Sequence, residues 1–139
     1  MRIARYEFEG RVRYGLADPE SGKVRELAGD PFEGVEATGV VRRLDEVRLL
    51  APVVPGKIVA VGRNYKDHAR EMGEEMPERA LLFLKAPSAL NDPGGEIVYT
   101  PQSQRVDYEA ELAAVVGRAA KNVKARDAAA FILGYTCIN

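Results

Sequence analysis

The stretch RVDYEAELAAVVGR, residues 105–118, places Glu109 and Glu111 two positions apart at the head of an apolar run. Read as a β-strand, it projects both carboxylates from one face, roughly 6–7 Å apart at Cα, because strand side chains alternate with a period of two. Asp107, Glu109 and Glu111 then share a face that continues into Ala113 and Val115, while Tyr108, Ala110, Leu112 and Ala114 take the other. Two carboxylates half-buried together either raise one pKa or admit a cation between them. Hard oxygen donors with no neighbouring thiolate or imidazole favour Mg²⁺, Mn²⁺ or Ca²⁺ over zinc. Glu-x-Glu also occurs on solvated strand faces, where charged residues ordinarily sit, so the pair alone decides nothing.

Outward from this strand, VKARDAAAFILG (123–134) reads as a helix ending at Gly134, with Ala128, Phe131 and Ile132 on its inner face. Upstream, EIVYTP (96–101) and ALLFLKAP (80–87) read as strands, and NDPGGE (91–96) as a turn. KIVAVG (57–62) suits a buried strand, followed by a polar surface turn and short helix over RNYKDHAREMGEEMPE (63–78). The first fifty residues predict a meander of short strands: RIARYEF and RVRYGLA around Glu9-Gly10, then the turn DPESGK and KVREL. Val41, Leu44, Val47 and Leu50, spaced by threes, suggest a short helix that Pro52 and Pro55 end. A boundary near residue 52 follows, giving a β-rich N-terminal domain over 1–52 and a second domain over 53–139. The fold class is α+β, predominantly β.

Composition narrows the partners. With 139 residues, 46% hydrophobic, and 20 basic against 21 acidic side chains, the chain has enough apolar material for a core and no basic footprint for nucleic acid. MRIARYEFEG is charged within its first five residues, which argues against a signal peptide or membrane span there, and a cytoplasmic setting is the simplest expectation. The single cysteine, Cys137, allows no internal disulfide and reads as a small buried residue.

His68 is the only histidine, and Glu71 follows it by three. On a helical turn this spacing brings both to one side, where a carboxylate can orient one ring nitrogen and raise the basicity of the other, as a general base requires. Gly62 and Gly73 bracket the segment, which makes residues 64–78 a candidate lid.

Taken in order, KIVAVGRNYKDHAREMG (57–73), LFLKAPSAL (82–90), VDYEAELAAVVGR (106–118) and GYTCIN (134–139) resemble the signature of the fumarylacetoacetate hydrolase family. The resemblance covers residues 55–139; the N-terminal part resembles the variable small domain that precedes the catalytic domain in many members. It implies a mixed β-roll or sandwich with short helices, and a divalent cation, Mg²⁺ or Mn²⁺, held by Glu109 and Glu111. A third carboxylate is expected immediately after GYTCIN and a lysine further on. On that reading the 139 residues are the leading part of a longer chain, and activity belongs to the complete one. The resemblance further implies His68 and Glu71 as catalytic residues and a 2-oxo acid substrate whose carboxylates Arg63 and Lys85 could meet by charge-assisted hydrogen bonds. The implied reaction is the isomerisation of 2-hydroxyhepta-2,4-diene-1,7-dioate in aromatic catabolism, by a homodimer. Acylpyruvate or fumarylpyruvate C–C hydrolysis and oxaloacetate decarboxylation are the alternatives within the family. A metal-binding or substrate-binding domain without turnover and a non-catalytic β-rich interaction domain are the alternatives of another class.

Overall fold

The computed structural model describes residues 1–71, 73, 75 and 77–139, and for Lys66, His68 and Ala69 the backbone alone. The chain divides into two compact units, one of residues 1–52 with 93–139 and one of residues 53–92.

Five antiparallel strands open the first unit: β1 (Ile3–Phe8), β2 (Arg11–Asp18), β3 (Lys23–Leu27), β4 (Ala37–Arg43) and β5 (Arg48–Leu50), in the order β4-β3-β2-β1-β5. Phe8 pairs with Arg11 across a two-residue turn in which Glu9 and Gly10 both have positive φ, 50° and 71°, a backbone twist that matches that of the flanking strands. The next turn is tied by Asp18, which accepts the Ser21 hydroxyl at 2.7 Å and the Glu20 N–H at 3.1 Å. The buried apolar core lies in this sheet and its exit, at Tyr6, Val24, Leu27, Leu50 and Ala51, with Tyr6 and Val24 fully enclosed. Gly15 is required there: a Cβ would stand 2.9 Å from the Arg25 carbonyl oxygen and 3.1 Å from the Tyr6 ring. Glu26 organises the sheet's polar groups, receiving Arg13 at 2.9 Å, Arg42 at 3.3 Å and the Tyr6 hydroxyl at 3.3 Å. The Arg42 guanidinium also lies 3.9 Å from the centre of the Phe8 ring. Burial first, and the Glu26 charge second, push the Tyr6 phenol above its ordinary pKa.

The helix expected between Val41 and Leu50 is a single 3-10 turn, Leu44–Glu46, between β4 and β5. Of the four residues at threefold spacing, Val41 and Leu50 lie in β4 and β5, because β3 and β1 offer edges to pair with, and Leu44 alone enters the 3-10 turn.

The second unit carries β6 (Ile58–Gly62), α1 (Lys66–Glu71) and β7 (Leu81–Lys85), with β6 and β7 paired antiparallel from Ile58↔Lys85 to Gly62↔Leu81. Gly73, at φ 70°, closes the helix by donating its N–H to the Arg70 carbonyl at 3.1 Å. The KIVAVG strand forms as expected but is not buried: Val59 is 54% exposed. Its ladder has only two strands.

The remainder of the first unit holds β8 (Glu111–Val116) and β9 (Ile132–Ile138), again an antiparallel pair. Three expectations are corrected here. EIVYTP forms no strand. Residues 123–134 are not one α-helix: Ala125–Phe131 make a 3-10 helix and Ile132 begins β9. The cause is the β-forming run Ile132, Tyr135, Thr136, which pairs with β8 and takes Gly134 into the strand rather than leaving it as a helix cap. Cys137, expected to be buried, is exposed on β9. Where β8 ends, a Cβ on Gly117 would stand 2.8 Å from that of Leu133, so glycine permits the close approach of the two strands at their bulge. Among the described residues, no helix is long and apolar enough to cross a membrane.

Candidate metal and substrate site

The carboxylate pair does not sit on one continuous strand. β8 begins at Glu111, and residues 105–110 precede it without strand pairing, so strand alternation governs only Glu111 onward. From there it holds as read: Glu111, Ala113 and Val115 are half-buried, while Leu112 and Val116 are 69% and 59% exposed. Asp107 is drawn to its neighbour Arg105 at 2.7 Å instead of joining the glutamates on a strand face.

A contact 30 residues apart in sequence brings Glu109 back to the ladder. Glu111 pairs with Ile138, and the Glu109 N–H donates to Asn139 Oδ1 at 2.7 Å. Both glutamates therefore stand at the same end of the β8–β9 ladder, against the last residues of GYTCIN. Nothing local in the sequence signalled this bond; it follows from the register of two strands that are remote in the chain. An open cleft of about 210 Å³ adjoins this end, lined by Ile97, Tyr99, Val106, Asp107, Tyr108 and Asn139. A larger opening, about 380 Å³, lies on the five-stranded sheet beside Arg2 and Lys23 and shares no residue with the glutamates.

Among the described residues no three His, Cys, Asp or Glu side chains cluster as a complete metal site. The pair that is present fits a hard divalent ion in kind, two carboxylates two residues apart with Glu111 half-buried at the start of β8 and Glu109 just before it, and supplies two of the six or so oxygen ligands such an ion takes.

The other candidates belong to the second unit. Arg63 follows β6 directly at φ 55°, a left-handed conformation uncommon for a long side chain, and is exposed. Lys85 ends β7 half-buried, at the opposite end of the two-stranded ladder. The pairs Gly62↔Leu81 and Ile58↔Lys85 are four strand steps apart, roughly 13 Å at 3.3 Å per residue. His68 and Glu71 both fall in α1, where Glu71 is exposed. The His68 side chain lies outside the described residues, as do Met72, Glu74 and Met76 of the expected lid.

Two family models divide the chain: residues 57–139 match the fumarylacetoacetate (FAA) hydrolase C-terminal model, and residues 1–52 match the Rv2993c-like N-terminal model. The chain belongs to the fumarylacetoacetate hydrolase family. It is 41% identical to Protein Rv2993c of Mycobacterium tuberculosis along its whole length, covering 54% of that protein. Over 66% of the chain it is 47% identical to the human mitochondrial oxaloacetate tautomerase FAHD2B, covering 29% of it. The solved structure of 5-carboxymethyl-2-hydroxymuconate delta-isomerase from Mycobacterium smegmatis superposes on 99% of the chain with a TM-score of 0.78 at 36% identity, and 53% of that chain is covered. The chain thus spans about half the length, or less, of the relatives it matches.

Proposed function

We propose that the protein is a divalent-cation-dependent isomerase of 2-oxo or 2-hydroxydienoic dicarboxylic acids, working through an enolate. The observation that carries this reading is the placement of Glu109 and Glu111 at one end of the β8–β9 ladder, beside Asn139. Glu109 and Glu111 would hold Mg²⁺ or Mn²⁺, which supplies a Lewis acid when bound. His68 takes and returns the proton, with Glu71, three residues on, orienting its ring. Arg63 and Lys85, at opposite ends of their ladder, each hold a different carboxylate of the substrate by charge-assisted hydrogen bonds.

The isomerase reading rests on the names of two relatives, an oxaloacetate tautomerase and a hydroxymuconate delta-isomerase. In the hydrolytic alternative His68 would activate water instead. We further propose that the enzyme works as a homodimer. A turnover screen of the full-length protein with Mg²⁺ against unsaturated dioates, oxaloacetate and acylpyruvates tests the reading. Isomerised dioate or interconverted oxaloacetate tautomers are the expected products; cleaved acylpyruvate alone would assign it to the hydrolases.

A further inference from the structure

The bond between Glu109 and Asn139 assigns a role to a residue that carries no charge and no nucleophile. Glu109 lies outside β8, so the ladder that fixes the Glu111 backbone does not fix its own. Glu109 is exposed, so water could satisfy its backbone N–H, and a protein acceptor there serves to place the segment. That acceptor is the Asn139 side-chain carbonyl at 2.7 Å, next to Ile138, the residue that pairs with Glu111. The single side chain of Asn139 thereby ties the segment bearing one carboxylate to the strand that positions the other. Alanine at 139 removes the Oδ1 acceptor while the backbone pairs from Glu111↔Ile138 to Val115↔Gly134 need no side chain at 139.

We propose that Asn139 is a positioning residue for the Glu109–Glu111 pair, setting the separation of the two carboxylates and hence their affinity for a hard divalent cation. This rests on the reading of that pair as cation ligands. Bonds that orient metal ligands from outside the coordination sphere typically change affinity by about 10–100-fold when removed. Because the acceptor is a side-chain oxygen, aspartate of the same length should replace asparagine, while alanine and leucine should not.

The test is Mn²⁺ titration calorimetry of the full-length protein and its Asn139→Ala, Asn139→Leu, Asn139→Asp and Glu111→Gln variants, with thermal melts of each in metal-free buffer. Asn139→Ala and Asn139→Leu are expected to weaken Mn²⁺ binding about tenfold or more with metal-free melting unchanged, and Asn139→Asp to bind within about threefold of the parent. Parent-like affinity in Asn139→Ala, or a weakening of affinity only in proportion to a fall in metal-free melting temperature, overturns the positioning role. If Glu111→Gln weakens binding while Asn139→Ala does not, the cation site stands and the positioning role alone fails. If Glu111→Gln binds as the parent does, or the parent binds no Mn²⁺, the underlying reading fails and this inference with it.

Discussion

Glu111 stands directly across the β8–β9 ladder from Ile138, and that pairing decides which end of the ladder carries the carboxylates. The other end is closed by Gly117, whose N–H donates to the Phe131 carbonyl at 2.8 Å and on which a Cβ would stand 2.8 Å from that of Leu133. A methyl group at Gly117 would have to push against Leu133. Gly117→Ala is therefore expected to cost about 1–3 kcal/mol. Amide exchange checks it: protection should fall along β8 and β9 while β1 to β3 keep theirs.

Glu26 anchors two guanidinium groups and a phenol in the five-stranded sheet, and is itself only 12% exposed. Removing the carboxylate leaves Arg13 and Arg42 facing each other without their shared counter-charge. Both arginines keep some contact with water, so the loss is smaller than for a fully buried pair. Glu26→Leu should destabilise the sheet by about 2 kcal/mol, read as a lower midpoint in urea with an unchanged slope.

The Asp18 carboxyl is held below its ordinary pKa, first by the Ser21 hydroxyl and then by backbone N–H groups of the turn. A depressed carboxylate contributes stability above its unfolded value, near 3.8, and the contribution is lost as pH falls through the folded value. In Ser21→Ala the midpoint should move up toward 3.8. Carboxyl-carbon NMR of Asp18 between pH 2 and about 6 measures it directly, and an unmoved midpoint would show that the hydroxyl does not matter.

His68 is proposed to move a proton and not to bind the cation. His68→Ala should accordingly keep parent-like Mn²⁺ affinity and lose about 100-fold or more in turnover. Parallel titration and turnover measurements separate the two roles, since equal loss of both would make His68 a ligand.

The N-terminal meander was legible chiefly because its turns carry their own chemistry, at Glu9-Gly10 and at Asp18 with Ser21, between short β-forming runs. The strand at Glu111 was legible for the same reason. Its beginning was not: Tyr108, Glu109 and Ala110 continue the alternating pattern, but the start of β8 is set by the distant strand β9, and the local sequence carries no record of it. The segment 123–134 misled because alanines and a terminal glycine satisfy a helix pattern, whereas the partner of Ile132–Ile138 lies some twenty residues upstream. The glutamates carry a spacing that a sequence can show, whereas the bond of Asn139 to the Glu109 N–H is tertiary and leaves no periodic trace.

The central claim is cation-dependent proton movement at the carbon beside a 2-oxo group, and deuterium incorporation reads it without committing to one substrate's final product. The full-length protein with Mg²⁺ in D₂O should speed exchange at C3 of oxaloacetate, observed by proton NMR. Chelation should abolish the effect, added Mg²⁺ or Mn²⁺ should restore it, and a Glu109→Gln, Glu111→Gln double variant that melts like the parent should lack it. Exchange that persists undiminished in the chelated protein and in the double variant would contradict the account.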